Sequence, residues 1–349
     1  MSVLRNILKW TGIAVAALLL LLILAGLINK AVSPIQQPPG QLIDIDGHDL
    51  HINSSGPHND KPTLVIVAGA GAPGEQYHWL NEGLKDSIRV VRYDRAGIGH
   101  SQLANSPRDP ETEARELHKL LQSSGEAPPY LMAGHSYGGH YIRIFADLYP
   151  EDVAGLIFLD SSHPEMNERI NFPDEPWFMD LMYRAGIVLA DLGVLSLAER
   201  FTRPLLWAPG LPDDVIESMR GYSLNGDYLR GFLRGDDRWG AELSNMAAAV
   251  DNLGDLPIQV FSGTNQRDEA LRRIGIDPEH FRSQRCIMQQ EIAELSTDHE
   301  LYYMEGGHVT IFTLKENADF ICDHILDLSN RITHDHLPDQ LVSTTPLVY

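Results

Sequence analysis

The amino-acid sequence predicts an α/β protein in which helices cover both faces of a mostly parallel sheet. Short apolar runs alternate with helical patterns along most of the chain, as in folds whose strands are joined by crossover helices. Several runs, such as residues 63–68, are apolar almost throughout, which is typical of parallel strands buried on both sides. About 290 residues lie between Gln41 and about Asn330, enough for one large domain of this class or two small ones.

The N-terminal segment is apolar and long enough to cross a bilayer. Residues 10–28 carry no charge, and as a helix they would span roughly 28 Å, close to the hydrocarbon thickness. A buried core helix and a cleaved signal peptide are alternatives, but a signal has a shorter apolar stretch and a small-residue exit. We predict a membrane anchor over residues 1–30, with its transmembrane part at about 10–28. Arg5 and Lys9 place the N-terminus in the cytoplasm and everything after residue 30 on the extracytoplasmic side.

A linker and a hairpin follow the anchor. Residues 31–40 contain three prolines and predict an extended spacer. An Asp-Gly pair between two β-like runs predicts a β-hairpin over residues 41–53. Six further apolar runs bring the predicted sheet to eight strands: residues 63–68, 88–93, 130–133, 155–159, 258–261 and 301–304. Helical patterns at residues 111–121 and 137–148 fall between these strands.

Residues 161–256 interrupt the alternation of strands and helices. They show no clear strand but several helical patterns, at residues 177–192, 213–220 and 241–253. This interval has roughly 95 residues, where a connection in such a sheet takes about 10 to 15, so we predict an inserted helical cap. The predicted α/β domain, including this cap, spans residues 41–329, and the polar segment 330–349 is predicted to be a flexible tail.

The charge of the chain excludes one class of partner. The net charge is −21, and three of the 27 basic residues precede residue 31, which leaves 24 basic against 48 acidic residues after the anchor. Such a surface repels polyanions, so we predict no nucleic-acid partner. Cys286 and Cys322 are too few for a disulfide scaffold and leave open one disulfide or two free thiols. Metal-ligand spacings are missing, and we predict neither a metal nor a cofactor.

Two glycine-rich motifs compete for the interpretation, and the first suggests a dinucleotide site. Gly69, Gly71 and Gly74 directly follow a predicted strand and match the pattern G-x-G-x-x-G. Asp94 ends the next strand, about 20 residues later, where a dinucleotide site places an acid for the ribose. This motif leaves open a dinucleotide-binding oxidoreductase.

The second motif predicts a nucleophilic serine. Ser136 lies between Gly134 and Gly138, after an apolar strand and before a helix. Glycines two residues before and after let a serine on a strained strand-to-helix turn expose its hydroxyl, and the helix directs N–H groups at the developing charge. A serine also needs a base. His308 follows the last predicted strand on a glycine-flanked loop and is well placed for that role.

With these features the chain resembles the α/β-hydrolase family, in particular its serine hydrolases with a helical cap. The resemblance covers residues 41–329 and rests on the hairpin start and on three segments that follow strands: residues 93–101, 134–139 and 306–308. It implies the α/β-hydrolase fold, with a mostly parallel eight-stranded sheet and an inserted helical cap. It also implies Ser136 as the nucleophile and His308 as the base.

The resemblance further implies an oxyanion hole. In this family the loop after the third strand is glycine-rich because its backbone approaches the reacting carbonyl and donates an N–H. We assign the two donors to Ala70 and Tyr137. The loop lacks the His-Gly pair that is frequent in the family, so Ala72 is an alternative to Ala70. This role also explains the glycines at residues 69–74 without a dinucleotide.

The acid of the triad has two candidates. Asp160 ends the strand next to that of the nucleophile, where some family members keep their acid. Asp268 follows the next strand, beyond Gly263, and is the alternative. In either place the carboxylate would orient His308 and stabilise its imidazolium, and we take Asp160 first.

We therefore expect a membrane-anchored serine hydrolase, of carboxylesterase or lipase type, that cleaves a neutral hydrophobic ester through an acyl-Ser136 intermediate. One alternative is an α/β hydrolase that acts on an amide or a carbon–carbon bond, because a triad activates the nucleophile without choosing the bond. The other is the oxidoreductase that would use Gly69, Gly71 and Gly74. The expected partners are a small-molecule ester or lipid substrate and the membrane that holds the anchor.

Overall fold

The computed structural model describes most of the chain. The described residues are 2–32, 38–173, 176–202, 206, 208–220, 222, 224–233, 239–265 and 268–335. Part of the predicted linker, residues 33–37, lies outside this set, as do residues 336–349 of the predicted tail. The prediction of a flexible tail from residue 330 is wrong for its first six residues, which continue the last helix. They do so because Ile332 packs into the core.

An eight-stranded sheet forms the centre of the molecule and confirms the predicted fold class. The strands are β1 Gln41–Asp44, β2 Asp49–Ser55, β3 Thr63–Val67, β4 Val90–Tyr93, β5 Tyr130–His135, β6 Val153–Leu159, β7 Ile258–Gly263 and β8 His299–Met304. Every predicted strand is present, with ends within two residues of the prediction. The apolar runs are reliable signals here because most strands are buried on both faces.

The topology brings the ends of neighbouring strands together. The strand order is β1-β2-β4-β3-β5-β6-β7-β8, β2 is antiparallel to β1 and β4, and the other neighbours are parallel. Leu64 and Ile66 enter the core on one face of the sheet, and Val65 and Val67 enter the core on the other. The carboxyl ends of β3, β5, β6, β7 and β8 meet at one edge, where open α/β sheets place their sites.

Helices cover both faces, as predicted. Within the described ranges the α-helices are α1 Ser2–Val32, α2 His78–Leu84, α3 Pro110–Ser123, α4 Gly138–Leu148, α5 Met166–Ile170, α6 Met179–Asp191, α7 Val194–Glu199, α8 Asp213–Arg220, α9 Gly226–Phe232, α10 Gly240–Ala249, α11 Asp268–Arg273, α12 Pro278–Ala293, α13 Thr310–Thr313 and α14 Lys315–Asp335. The core between the sheet and α3, α4 and α10 covers one face. The core with α2, α13 and α14 covers the other.

The described residues between β6 and β7 form helices and the turns that join them, but no strand. These helices are α5 to α10, and we call the stretch at residues 161–256 the helical insertion. Its apolar side chains form a separate small core around Met219 and Tyr222. The insertion therefore has packing of its own in addition to its contacts with the sheet domain.

The first helix is long, apolar and almost entirely exposed. Residues Val3–Val32 contain a window with a mean hydropathy of 2.8, of which 6 % is buried in the protein. A core helix would be mostly buried, so that alternative does not fit. By length and composition α1 is a candidate for a membrane span or a signal sequence. Near its C-terminal end α1 contacts α7 of the helical insertion.

Candidate active site

Ser136 lies on a sharp turn between β5 and α4. Its φ is 53°, in the left-handed region that residues other than glycine rarely adopt. The carbonyl oxygen of Ser136 accepts the N–H groups of Gly139 (3.0 Å) and Ser162 (3.1 Å), so the turn is held from two sides. The side chain is half-buried. This geometry is that of a nucleophile elbow at the carboxyl edge of the sheet.

The glycines around Ser136 are required by close backbone contacts. A Cβ on Gly138 would lie 2.1 Å from the carbonyl oxygen of Val67, at the end of β3. A Cβ on Gly134 would lie 2.5 Å from the carbonyl oxygen of Gly138. The end of β3, the turn and the start of α4 are therefore too close together for a side chain at either glycine.

We expect Gly138→Ala to lower the free energy of unfolding by about 3 kcal/mol, because the new Cβ displaces backbone. The matched control is Gly186→Ala in α6, where the nearest atom is Leu229 Cδ1 at 3.9 Å. That change replaces glycine within a helix and is expected to be neutral or to stabilise by up to about 1 kcal/mol. Urea unfolding of both variants measures the difference, and equal losses would contradict the steric argument.

His308 and Asp160 form a hydrogen-bonded pair. His308 lies on the loop after β8, and its Nδ1 is 2.7 Å from Oδ2 of Asp160, which directly follows β6. The other carboxylate oxygen of Asp160 accepts the N–H of Gly263 (2.9 Å) and a guanidinium N–H of Arg285 (2.5 Å). The side chain of Asp160 is fully buried, whereas that of His308 is 45 % exposed. Since Nδ1 faces the carboxylate, Nε2 is the ring nitrogen left for a nucleophile.

The environment of Asp160 keeps its carboxylate ionised. Burial by itself raises the pKa of this carboxyl, but the hydrogen bond from His308, the charge of Arg285 and the N–H of Gly263 outweigh burial. Together they hold the pKa well below its usual value. A permanently charged Asp160 fixes the proton of His308 on Nδ1.

Asp268, the alternative acid, is placed elsewhere. It begins α11, and its Oδ1 accepts a hydrogen bond from Arg282 at 2.5 Å. Its side chain is 38 % exposed. The structure therefore pairs His308 with Asp160 and leaves Asp268 in a surface ion pair.

The glycine loop, residues 69–74, passes beside Ser136. A Cβ on Gly69 would lie 3.1 Å from Cβ of Ser136. Gly71 has a φ of 62°, and the Ala72 N–H donates to the carbonyl oxygen of Gly69 (3.2 Å), which closes a tight turn. The N–H of Ala72 is thus already used within the turn. Ala70 occupies the exposed corner of that turn.

The second predicted donor, Tyr137, directly follows Ser136 and precedes α4. Its backbone is already helical, with φ −60° and ψ −23°. An N–H at the start of a helix points away from the helix body and towards its N-terminal side. Two segments flank Ser136: the glycine loop, which contains Ala70, and the start of α4, which Tyr137 directly precedes.

Sequence reasoning did not identify two side chains that join the loops of the site. The N–H of Gly69 donates to the hydroxyl oxygen of Tyr77 (3.1 Å), and that hydroxyl is 3.0 Å from Nδ1 of His135. Nε2 of His135 is 2.9 Å from the carbonyl oxygen of His308. Because a carbonyl only accepts, His135 carries its proton on Nε2 and accepts from Tyr77 at Nδ1. This chain of bonds connects the glycine loop to the loop of His308.

We expect Tyr77→Phe to lower kcat about tenfold, because the glycine loop and the His308 loop lose their shared contact. The buried N–H of Gly69 and Nδ1 of His135 also lose partners, which costs about 1–3 kcal/mol of stability. The matched control is Tyr130→Phe, which removes a bond to the carbonyl oxygen of Glu126 (2.8 Å) at the opposite end of β5. Kinetics on a soluble ester compare the two variants. A similar loss of kcat in both would contradict a positioning role for Tyr77.

Two buried histidines make the stability dependent on pH. Burial, followed by nearby positive charge, lowers the pKa of His135 and of His140 to about 3, against about 6.5 in an unfolded chain. The unfolded state therefore binds more protons below pH 6.5, so this stability is present above pH 6.5 and is lost as the pH falls. From pH 7.5 to pH 5 we expect a loss of about 4 kcal/mol. Urea unfolding at both values measures it, and an unchanged loss in His140→Gln would contradict the assignment.

Asp94 is placed where it does not fit the dinucleotide alternative. Its side chain is buried, Oδ1 accepts the N–H of Gly74 (2.8 Å), and Oδ2 accepts from the N–H of His100 (3.0 Å) and faces Nδ1 of His51 (2.7 Å). Burial raises the pKa of this carboxyl, and the bonds from His51, His100 and Gly74 outweigh it and lower the pKa. The carboxylate is thus buried and both of its oxygens bond inside the protein, so it is not exposed for a ribose.

A cavity of about 960 Å³ lies beside His308, between the helical insertion and α13. Its lining is mixed. Apolar side chains such as Leu206, Val309 and Leu314 contribute to it, together with uncharged polar side chains and the carboxylates of Glu305 and Glu316. Small-molecule sites have volumes of roughly 300–1,000 Å³, so the cavity can accept a substrate of moderate size.

The described ranges hold no group of three or more His, Cys, Asp or Glu side chains arranged for a metal ion. Cys286 and Cys322 are free thiols, the first exposed and the second buried.

Comparisons with known proteins agree with this fold. Residues 64–320 match the family described as the Alpha/beta hydrolase family. The chain is 29% identical over 173 residues to the uncharacterized protein YbdG of Bacillus subtilis. The aligned region covers 47% of this chain and 52% of that protein. It is 33% identical over 263 residues to the probable transporter efuK of Hormonema carpetanum. Here the aligned region covers 72% of this chain and 35% of that protein. The chain spans about half or less of the length of these curated relatives.

Among solved structures, the chain is similar to a thermophilic esterase from Thermogutta terrifontis. The TM-score is 0.55 at 19% sequence identity, and the match covers 85% of this chain and 99% of that chain. At this identity the similarity concerns the fold.

Proposed function

The chain belongs to the alpha/beta hydrolase family, and we propose that it is a membrane-anchored serine hydrolase that cleaves neutral, hydrophobic carboxylic esters. The observation that carries the proposal is the 2.7 Å bond between His308 and the buried, ionised Asp160, at the same sheet edge as the strained turn of Ser136. Membership of the family supports a hydrolase. The serine mechanism and the ester bond are our proposal.

In the proposed mechanism Ser136 Oγ attacks the ester carbonyl carbon while Nε2 of His308 takes the hydroxyl proton. Asp160 stabilises the imidazolium through the bond to Nδ1. The N–H groups of Ala70 and Tyr137 donate to the oxyanion of the tetrahedral intermediate. The intermediate collapses to acyl-Ser136, and the alcohol leaves with the proton from His308. Water then attacks the acyl group by the same route and releases the carboxylic acid.

Three features support a neutral, hydrophobic substrate. Apolar side chains line much of the cavity beside His308, while Glu305 and Glu316 in the same lining disfavour anionic substrates. The part of the chain after residue 30 also carries an excess of 24 acidic residues, from 48 acidic against 24 basic. An ester with apolar chains fits this environment better than a phosphate or a dicarboxylate.

The exposed apolar helix α1 supports the membrane anchor. Its most apolar window is 6 % buried, and Arg5 and Lys9 precede that window. By the positive-inside bias the N-terminus is cytoplasmic and the catalytic domain is extracytoplasmic. Retention of residues 1–30 in the mature protein, measured by N-terminal sequencing, separates an anchor from a cleaved signal.

A panel of p-nitrophenyl esters of increasing acyl length, with the matching anilides, tests the bond and the substrate class. We expect ester turnover to rise with chain length to an optimum and then fall as the cavity is filled, with anilides at least about 100-fold slower. Turnover of anilides alone would favour the amide alternative. No turnover of either, in protein that is folded, would contradict the proposed function.

A further inference from the structure

One helix of the helical insertion carries its apolar side chains on the outside. Outside α1, twelve large hydrophobic side chains of the described residues are exposed, and seven of them lie within residues 177–201. Six of these seven form what we call the apolar stripe: Trp177, Phe178, Leu181, Met182, Val188 and Leu189. Phe178 directly precedes α6, and the four members of the stripe within α6 follow it by three, four, ten and eleven residues, which places them on one side of that helix. Trp177 directly precedes Phe178.

The stripe is not covered by the rest of the chain as described. Trp177 is 88 % exposed and Leu181 is 65 % exposed. The packed side of α6 is a different one, with Ala190 buried and contacts to α7 and α9. Amphipathic helices normally turn their apolar side towards a core, and contiguous exposed apolar surface marks an interaction site.

The end of α6 is docked on the proposed membrane anchor. A Cβ on Gly26 of α1 would lie 2.5 Å from the carbonyl oxygen of Leu192, just after α6. Asn29 Nδ2 donates to Ser196 Oγ (3.2 Å). The backbones of α1 and of the corner between α6 and α7 therefore touch, which small residues allow between helices in membranes.

This contact sets the level of the stripe along α1. Lys30 is the first charge after the uncharged residues 10–28, and its Nζ donates to the carbonyl oxygen of Asp191, the last residue of α6 (3.4 Å). A lysine at the end of an apolar span marks the boundary between hydrocarbon and headgroups. Val188 and Leu189, in the last turn of α6, lie next to this boundary.

We propose that the apolar stripe lies in the headgroup and acyl-chain boundary of the bilayer that holds α1. This proposal rests on the proposed anchoring role of α1. Trp177, at the far end of the stripe, suits this depth, because its amphipathic ring favours the membrane interface. A bilayer is favoured over a second copy of the chain, because the stripe is continuous with the end of an apolar span.

The bound stripe brings the active site next to lipid. α6 packs against α9, and from α9 the hydroxyl of Tyr228 donates to the carbonyl oxygen of Gly71 in the glycine loop (2.8 Å). One helix therefore separates the stripe from the loop of the proposed oxyanion donors. This arrangement fits an ester that is dissolved in the bilayer and reaches the site from the lipid side.

Nitroxide labels measure the depth of the stripe in the full chain. With Cys286→Ser removing the exposed thiol, the label is attached at Leu181→Cys, at Ile287→Cys or at Leu19→Cys, and the protein is placed in palmitoyl-oleoyl phosphatidylcholine vesicles. Ile287 is an exposed apolar residue of α12 and is the control, and Leu19 reports on α1. We expect the ratio of oxygen to nickel-chelate accessibility to be about tenfold higher at position 181 than at position 287.

The three labels separate the possible failures. Equal ratios at positions 181 and 287, with a lipid-exposed label at position 19, overturn the stripe proposal alone. Water-exposed labels at both 19 and 181 overturn the anchor and the stripe together. A label at 181 that is shielded from both oxygen and the nickel chelate shows a protein contact, such as a second copy of the chain, and overturns the bilayer as the occupant.

Kinetics give a second, independent test. Leu181→Asp combined with Met182→Asp places charge on the stripe and is compared with Ile287→Asp. We expect the double variant to hydrolyse a long-chain ester embedded in the vesicles about tenfold more slowly, and soluble p-nitrophenyl acetate at the unchanged rate. In protein whose urea unfolding is unchanged, equal loss on both substrates shows that the stripe has no role specific to substrate in the bilayer and, like unchanged rates on both, overturns the proposal. If the unmodified chain hydrolyses neither substrate, the proposed function itself has failed.

Discussion

Ser136→Ala is expected to lower kcat for ester hydrolysis by about 10⁴-fold or more, because the reaction loses its nucleophile. The remaining rate would come from water that His308 activates and from the oxyanion donors. The hydroxyl of Ser136 is not needed for the turn, which is held through its backbone carbonyl by Gly139 and Ser162. Urea unfolding should therefore be unchanged.

Ser124→Ala is the matched control for this change. It removes a hydroxyl that bonds to the carbonyl oxygen of Leu121 at the end of α3, and we expect full activity. The assignment of the nucleophile would be wrong if Ser136→Ala kept more than about one hundredth of the activity in a folded protein.

Asp160→Asn is expected to lower kcat by about 10³- to 10⁴-fold, because the amide no longer fixes the proton of His308 on Nδ1 or stabilises the imidazolium. It also leaves the buried guanidinium of Arg285 without a carboxylate, which costs about 3 kcal/mol of stability. Activity is therefore measured on soluble ester at low temperature, where the variant stays folded, and unfolding is measured separately.

Asp268→Asn tests the other candidate acid in the same assay. Asp268 is paired with Arg282 at the surface, so we expect unchanged kcat and a stability change of about 0–1 kcal/mol. Loss of activity in the Asp268 variant with activity retained in the Asp160 variant would reverse the assignment of the acid.

The elements and the two ends of the proposed triad were accessible from sequence because their signals are local. Apolar runs predict the buried strands, and the glycines around Ser136 and before His308 follow from the backbone geometry of their turns. Asp94 shows the limit of such signals, since its spacing from the glycine loop imitates a dinucleotide site. In the structure its carboxylate is used by Gly74, His51 and His100.

The features that sequence reasoning left open or missed depend on residues that are far apart in the chain. Arg285 reaches Asp160 across 125 positions and helps to select it over Asp268. Tyr77 reaches His135 across 58 positions. No motif marks Arg285, Tyr77 or His135, because each of them alone reads as an ordinary buried residue of a helix or strand. A buried arginine in α12 and a histidine beside Ser136 become informative only when the fold brings them together with their partners.

Peptide mapping after reaction with a fluorophosphonate tests the central claim most directly. An activated serine attacks the phosphorus, fluoride leaves, and the phosphonyl group stays bound to the serine oxygen. The proposed mechanism predicts phosphonylation of Ser136 and none in Ser136→Ala. Labelling of a different residue, or equal labelling of the Ser136→Ala chain, would contradict it.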